Sequence, residues 1–220
     1  MQYKRITLLC GHYGSGKTNI ALNMAFDLKN QKDNVAIADL DIVNPYFRTK
    51  DSADELKEKG IRLIVSEFAN SNVDIPALPQ DMYAITDDKN LNTVIDVGGD
   101  DRGVLALGRL SDKIIEENNY NMFLVVNCYR PLTRNADETI EVLREMEMSC
   151  KIRFTGIVNN SNLGVLTTPE DVLKSVGYAQ EVSEKTSLPV VATTVDENIY
   201  SSLTGKIDDL FPLRLQKKII

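Results

Sequence analysis

A three-layer α/β/α fold with a mostly parallel sheet is what this 220-residue chain predicts. Three observations carry that expectation. Short Val/Ile/Leu-rich runs alternate with amphipathic stretches from end to end, the pattern of a sheet covered on both faces. With 43% hydrophobic residues in a chain of this length, one core and one domain over residues 1–220 are expected. A glycine-rich loop also joins the first strand to the first helix, where an open parallel sheet binds its ligands.

Strands are expected at 4–10, 34–40, 61–65, 92–96, 121–127, 153–158 and 189–193. Helices are expected at 16–31, 52–59, 103–118, 134–148 and 168–186, with a short one near 198–210. No internal repeat or linker interrupts them. The least regular stretch is Ser66 to Pro79, where two prolines oppose a continuous helix. Such a stretch reads either as a lid or partner contact or as a packed crossover.

The net charge of −7 argues against general nucleic-acid binding, which usually needs a basic surface. Cys10, Cys128 and Cys150 form no C-x-x-C pair, so no zinc site or disulfide framework is expected. No apolar run approaches the ~18 residues of a membrane span. The apolar run near the N-terminus is too short for a signal peptide. A cytoplasmic, reducing setting is the expectation.

The chemistry begins at Gly11, His12, Tyr13, Gly14, Ser15, Gly16, Lys17 and Thr18, a complete G-x-x-x-x-G-K-[ST] loop. The strand-like run Ile6 to Cys10 precedes it, and Ile20, Met24 and Leu28 follow at helical spacing. Glycines let successive backbone N–H groups turn inward around a phosphate. The helix N-terminus adds unpaired N–H groups and partial positive charge. Lys17 is placed to reach the β- and γ-phosphates, and the Thr18 hydroxyl to bind Mg²⁺.

Two strand ends add acids. The run 34–40 leads into Asp39-Leu40-Asp41. Asp41 is the candidate to orient an attacking water, and Asp39 to hold a water on Mg²⁺. The run Asn92 to Asp96 is an apolar strand ending in an acid, so Asp96 is a candidate Mg²⁺ residue. Asp96 and Gly99 form a D-x-x-G, in which a glycine N–H can sense a γ-phosphate and move a loop.

These pieces resemble the MinD/ParA branch of the SIMIBI class of P-loop NTPases, within the CobQ/CobB/MinD/ParA superfamily. VAIADLDIVNP is similar to that family's second strand, VVNCYRPLTRNADETI to its fifth strand and following helix, and FTGIVNNSN to the strand whose terminal Asn holds the base. The resemblance makes Asn160 the base-contacting residue, with Asn159 second. A GTPase of this class is expected to carry N/T-K-x-D there. The chain reads Asn160-Ser161-Asn162-Leu163, so ATP is favoured over GTP.

Many members carry a second lysine one residue after the first glycine of the loop, and that lysine crosses a dimer interface. Here the position is His12, the only histidine. It reads either as a protonatable substitute or as a solvated loop residue. Arg48, Arg102, Arg130 and Arg134 are the other candidate cations near a γ-phosphate.

The leading functional expectation is an ATP-binding, Mg²⁺-dependent ATPase working as a molecular switch, through an ATP-dependent homodimer or a partner protein. Phosphoryl transfer to a small-molecule or protein acceptor is a second reading, and a non-catalytic nucleotide-binding module a third. Membrane recruitment would need an amphipathic C-terminal helix. FPLRLQKKII places Phe211, Leu215 and Ile219 at helical spacing, yet the segment is short enough to dock on the core instead.

Overall fold

The computed structural model describes residues 1–40, 53–65, 80–99 and 101–215, with Asp101 and Arg102 described by backbone alone. Strands and helices alternate as β1 (Ile6–Cys10), α1 (Lys17–Lys29), β2 (Val35–Asp39), α2 (Ala53–Glu58), β3 (Arg62–Val65), α3 (Gln80–Asp87) and β4 (Asn92–Asp96). They continue as α4 (Asp101–Gly108), α5 (Ser111–Glu117), β5 (Tyr120–Val126), α6 (Ala136–Cys150), β6 (Gly156–Asn159), α7 (Pro169–Thr186), β7 (Val190–Asp196), α8 (Glu197–Leu203) and β8 (Leu210–Leu213). The strands form one sheet in the order β3-β2-β4-β1-β5-β6-β7-β8. Every pairing between neighbours is parallel.

Side-chain alternation along the strands explains the three layers. Ile6, Leu8 and Cys10 of β1 face a core shared with Val104 and Leu107 of α4 and Leu143 and Met146 of α6. Leu9 faces the opposite core, with Ile20, Met24 and Leu28 of α1 and Leu56 of α2. From β1 the chain builds first one side of the sheet, β4-β2-β3, and then reverses to build the other, β5-β6-β7-β8. A crevice at the carboxyl ends of the strands is the geometric result of such a reversal.

Local sequence sets the helix starts. Asn135 caps α6 by accepting the Glu138 N–H at 2.9 Å. Thr168 and Asp171 form a reciprocal capping box on α7, with Pro169 in its first turn. At the amino-terminal end of β1, Arg5 is 6% exposed and is gripped by both oxygens of Glu117. Its Nη1 also donates to the carbonyls of Ile85 (2.9 Å) and Leu91 (2.9 Å). The Arg5 hydrogen bond holds the Glu117 carboxyl below the usual carboxylate range, against the opposing effect of burial and with help from Lys89.

Three elements differ from the sequence expectation. The helix expected over 103–118 is two helices, broken at Gly108, whose carbonyl accepts the Ser111 hydroxyl at 2.7 Å. Helix α3 was not expected. The start of the C-terminal segment is extended rather than helical: Phe211 lies in strand β8, paired to Thr194 of β7. Ile219, Asp41, Arg48 and the Ser66–Pro79 stretch lie outside the described residues. No described helix is long and apolar enough to cross a membrane.

Candidate nucleotide site

The site grows from the end of β1, where the chain turns through Gly11 to Gly16 and enters α1. Gly16 precedes α1 at φ 89°, a left-handed conformation, and no side chain caps the helix there. A side chain at this position would be strained by the backbone alone. The first N–H groups of α1 are the donors that this arrangement leaves for an anion.

Lys17 is 7% exposed, and its ammonium lies within the loop. It donates to the carbonyl of Gly11 at 2.9 Å and to that of His12 at 3.3 Å. The Thr18 hydroxyl donates to Asp96 Oδ2 at 2.6 Å. That bond joins the first turn of α1 to the end of β4. Asp39 ends the neighbouring β2 in register with Asp96, and the two are 5% and 1% exposed. Thr18, Asp39 and Asp96 therefore gather hard oxygen donors beside the phosphate loop, the donor type that suits Mg²⁺.

Gly99 completes this side. A Cβ there would lie 2.7 Å from the Tyr13 nitrogen and 2.9 Å from Lys17 Nζ. The segment after β4 thus lies directly against the phosphate loop, and only glycine permits the approach.

The other flank carries the Asn residues. Asn160 is 4% exposed and follows the end of β6. Its Nδ2 donates to the Ser15 carbonyl at 2.6 Å, and its Oδ1 accepts the Thr194 hydroxyl at 2.6 Å. One amide thus ties the phosphate loop to β7. Asn159 is fully buried, donating to the Ser175 hydroxyl at 2.9 Å and accepting the Ser161 N–H at 3.2 Å. Its side chain is directed to α7 and the β6–α7 turn rather than to the phosphate loop.

The remaining loop residues are more open. His12 is half-buried, with Nδ1 3.2 Å from the Tyr13 carbonyl, and Tyr13 is 61% exposed. Arg130 approaches Gly14, its Nε 3.8 Å from the point a Gly14 Cβ would occupy. Arg134 is exposed before the Asn135 cap of α6, with its N–H on Glu138 Oε2 at 3.2 Å. Asp41 and Arg48 lie outside the described residues, as does the Arg102 side chain. Sequence reading did not single out Thr194. Its partner Asn160 is 34 positions away, and only the β6–β7 pairing brings them together.

Comparison with known proteins agrees with this architecture. The CobQ/CobB/MinD/ParA nucleotide binding domain family matches residues 6–198. Among the curated proteins, none matches the chain. A crystal structure of the cell division protein FtsY from Thermotoga maritima is similar, with TM-score 0.59 and 19% identity, over 97% of this chain and 65% of that one. The signal recognition particle receptor FtsY from Elizabethkingia anophelis, in complex with GDP, gives 0.54 and 14% over 99% of this chain and 62% of that one. A nucleotide-binding protein from Archaeoglobus fulgidus, in complex with ADP, gives 0.50 and 12% over 90% and 85%. The chain thus spans less than two thirds of the FtsY chains, and the likeness is one of fold.

Proposed function

The chain belongs to the CobQ/CobB/MinD/ParA nucleotide-binding domain family, and from that premise we propose that it is a Mg²⁺-dependent ATPase working as a nucleotide-driven switch. The observation that carries this reading is the convergence of Lys17, Thr18, Asp39 and Asp96 beside one glycine-rich loop. Lys17 would bind the β- and γ-phosphates, exchanging its bonds to loop carbonyls for bonds to phosphate oxygens. Thr18, Asp39 and Asp96 would hold Mg²⁺, which supplies charge neutralisation on the phosphates when bound. Asp41 would orient the attacking water.

Adenine is the proposed base. Reading guanine at this strand end takes a carboxylate three residues after the Asn, and that position is Leu163, 45% exposed. Asn162 is occupied, donating to the Asn160 carbonyl at 2.7 Å and accepting the Gly164 N–H at 3.0 Å. The Asn160 amide has two N–H groups, and the bond to Ser15 uses one.

Gly99, set against Lys17 and Tyr13, would report the γ-phosphate to α4. The output would be an ATP-dependent homodimer or a partner complex, and the setting the cytoplasm. Titration calorimetry with Mg²⁺–ATP and Mg²⁺–GTP tests the base and the site together. ATP is expected to bind more tightly than GTP, and Lys17→Ala to abolish binding. GTP binding more tightly would overturn the choice of base. Asp41→Ala is expected to bind ATP without turning it over, and normal turnover would remove its assigned role.

A further inference from the structure

We propose that Arg130 supplies, from within the same chain, a second positive charge for the nucleotide's phosphates, at a site where position 12 carries histidine instead of lysine. The inference rests on the nucleotide reading above and deepens it.

Four observations support it. The Arg130 side chain runs beside the phosphate loop, its Nε and Cδ 3.8 Å and 3.9 Å from where a Gly14 Cβ would sit. Its backbone is fixed by a tight turn: the Arg130 N–H donates to the Asn127 carbonyl at 3.0 Å, and that carbonyl also accepts the Thr133 hydroxyl at 2.8 Å. Asn127 itself is fully buried, its Oδ1 accepting the N–H groups of Tyr129 (3.0 Å) and Asn162 (3.3 Å). No carboxylate among the described residues forms an ion pair with Arg130.

The chemistry follows from that placement. A guanidinium is charged at every physiological pH and presents a planar fork of donors that matches phosphate oxygens. The turn holds the base of the side chain while its exposed end stays free to swing onto a bound phosphate chain. Glycine at position 14 leaves the path beside the loop clear. Lys17 serves the phosphates from inside the loop, and Arg130 from outside it.

The test is titration calorimetry of Mg²⁺–ATP against wild type, Arg130→Lys, Arg130→Gln and Arg130→Glu. Circular dichroism of each variant checks the fold. Affinity is expected to fall in the order Arg, Lys, Gln, Glu, with Gln weaker than wild type by about tenfold, the scale of one charge-assisted hydrogen bond. Partial rescue by lysine separates charge from packing. Arg130→Gln within about twofold of wild type, or lysine no better than glutamine, overturns the proposal. A wild type that binds no nucleotide overturns the functional reading and this inference together, whereas tight wild-type binding that ignores residue 130 overturns this inference alone.

Discussion

Replacing Gly99 with alanine adds one methyl group at the closest approach between the β4 strand end and the phosphate loop. The new Cβ would lie 2.7 Å from the Tyr13 nitrogen, 2.9 Å from the Tyr13 Cα and 2.9 Å from Lys17 Nζ. Two of these neighbours are backbone atoms and cannot swing aside. The ammonium can, but only by giving up its bonds to the Gly11 and His12 carbonyls. Overpacking of this kind costs about 1–3 kcal/mol. If the strain falls on the phosphate-binding conformation, Mg²⁺–ATP affinity drops by about fivefold to 150-fold. If it falls on the fold, the melting temperature drops by about 2–12 °C for a chain of this size. Calorimetry and thermal melting of the same preparation distinguish the two. Gly177→Ala is the control: it lies in α7 with nothing within 4 Å of the added carbon, and should stabilise the protein by about 0.5–1 kcal/mol. An alanine at 99 with wild-type affinity and wild-type melting would refute the packing of this segment on the loop.

Two further outcomes follow from the same geometry. Thr18→Val keeps the shape but removes the hydroxyl bonded to Asp96 at 2.6 Å; the gain in ATP affinity on adding Mg²⁺ should shrink by about tenfold, read by calorimetry with and without the metal. Glu117→Gln tests the Arg5 clamp through pH. The folded carboxyl is held below its unfolded value, so its contribution is full above about pH 4.3 and fades as pH falls through the folded pKa. The variant should be less stable by about 2 kcal/mol at pH 7, and the gap should narrow at pH 3. A gap that is equal at both pH values in urea titrations would show that the ion pair does not carry the stability.

The sequence was most readable where one segment decides its own structure. Asn92 to Asp96 is a strand with the expected bounds, because an apolar run buried on both faces needs no partner to identify it. The phosphate loop was equally plain, since its glycines are required by its own backbone. The start of the C-terminal segment was open to two readings for a physical reason. Phe211 and Leu215 fit a helical period, but four residues cannot separate that period from a strand's, and β7 offered an open edge. Helices α4 and α5 share one apolar face, so their spacing hid the turn at Gly108. Within the candidate site, Lys17, Thr18 and Asp96 are the residues that the motifs name. Arg130 was one of four candidate arginines, and Thr194 was not singled out at all. Strand order placed both, and it is not written in local spacing.

The Asn160 amide has a consequence for how this site can change over time. It bonds the carbonyl of Ser15 with one end and the hydroxyl of Thr194 with the other, so the residue proposed to meet the base is also bonded to the loop proposed to hold the phosphates. A mutation that explored a new base preference at this position would disturb the phosphate grip in the same step. Shifts of nucleotide choice in this lineage should therefore enter through neighbours such as Leu163, whose exposed side chain can be exchanged without loosening the loop.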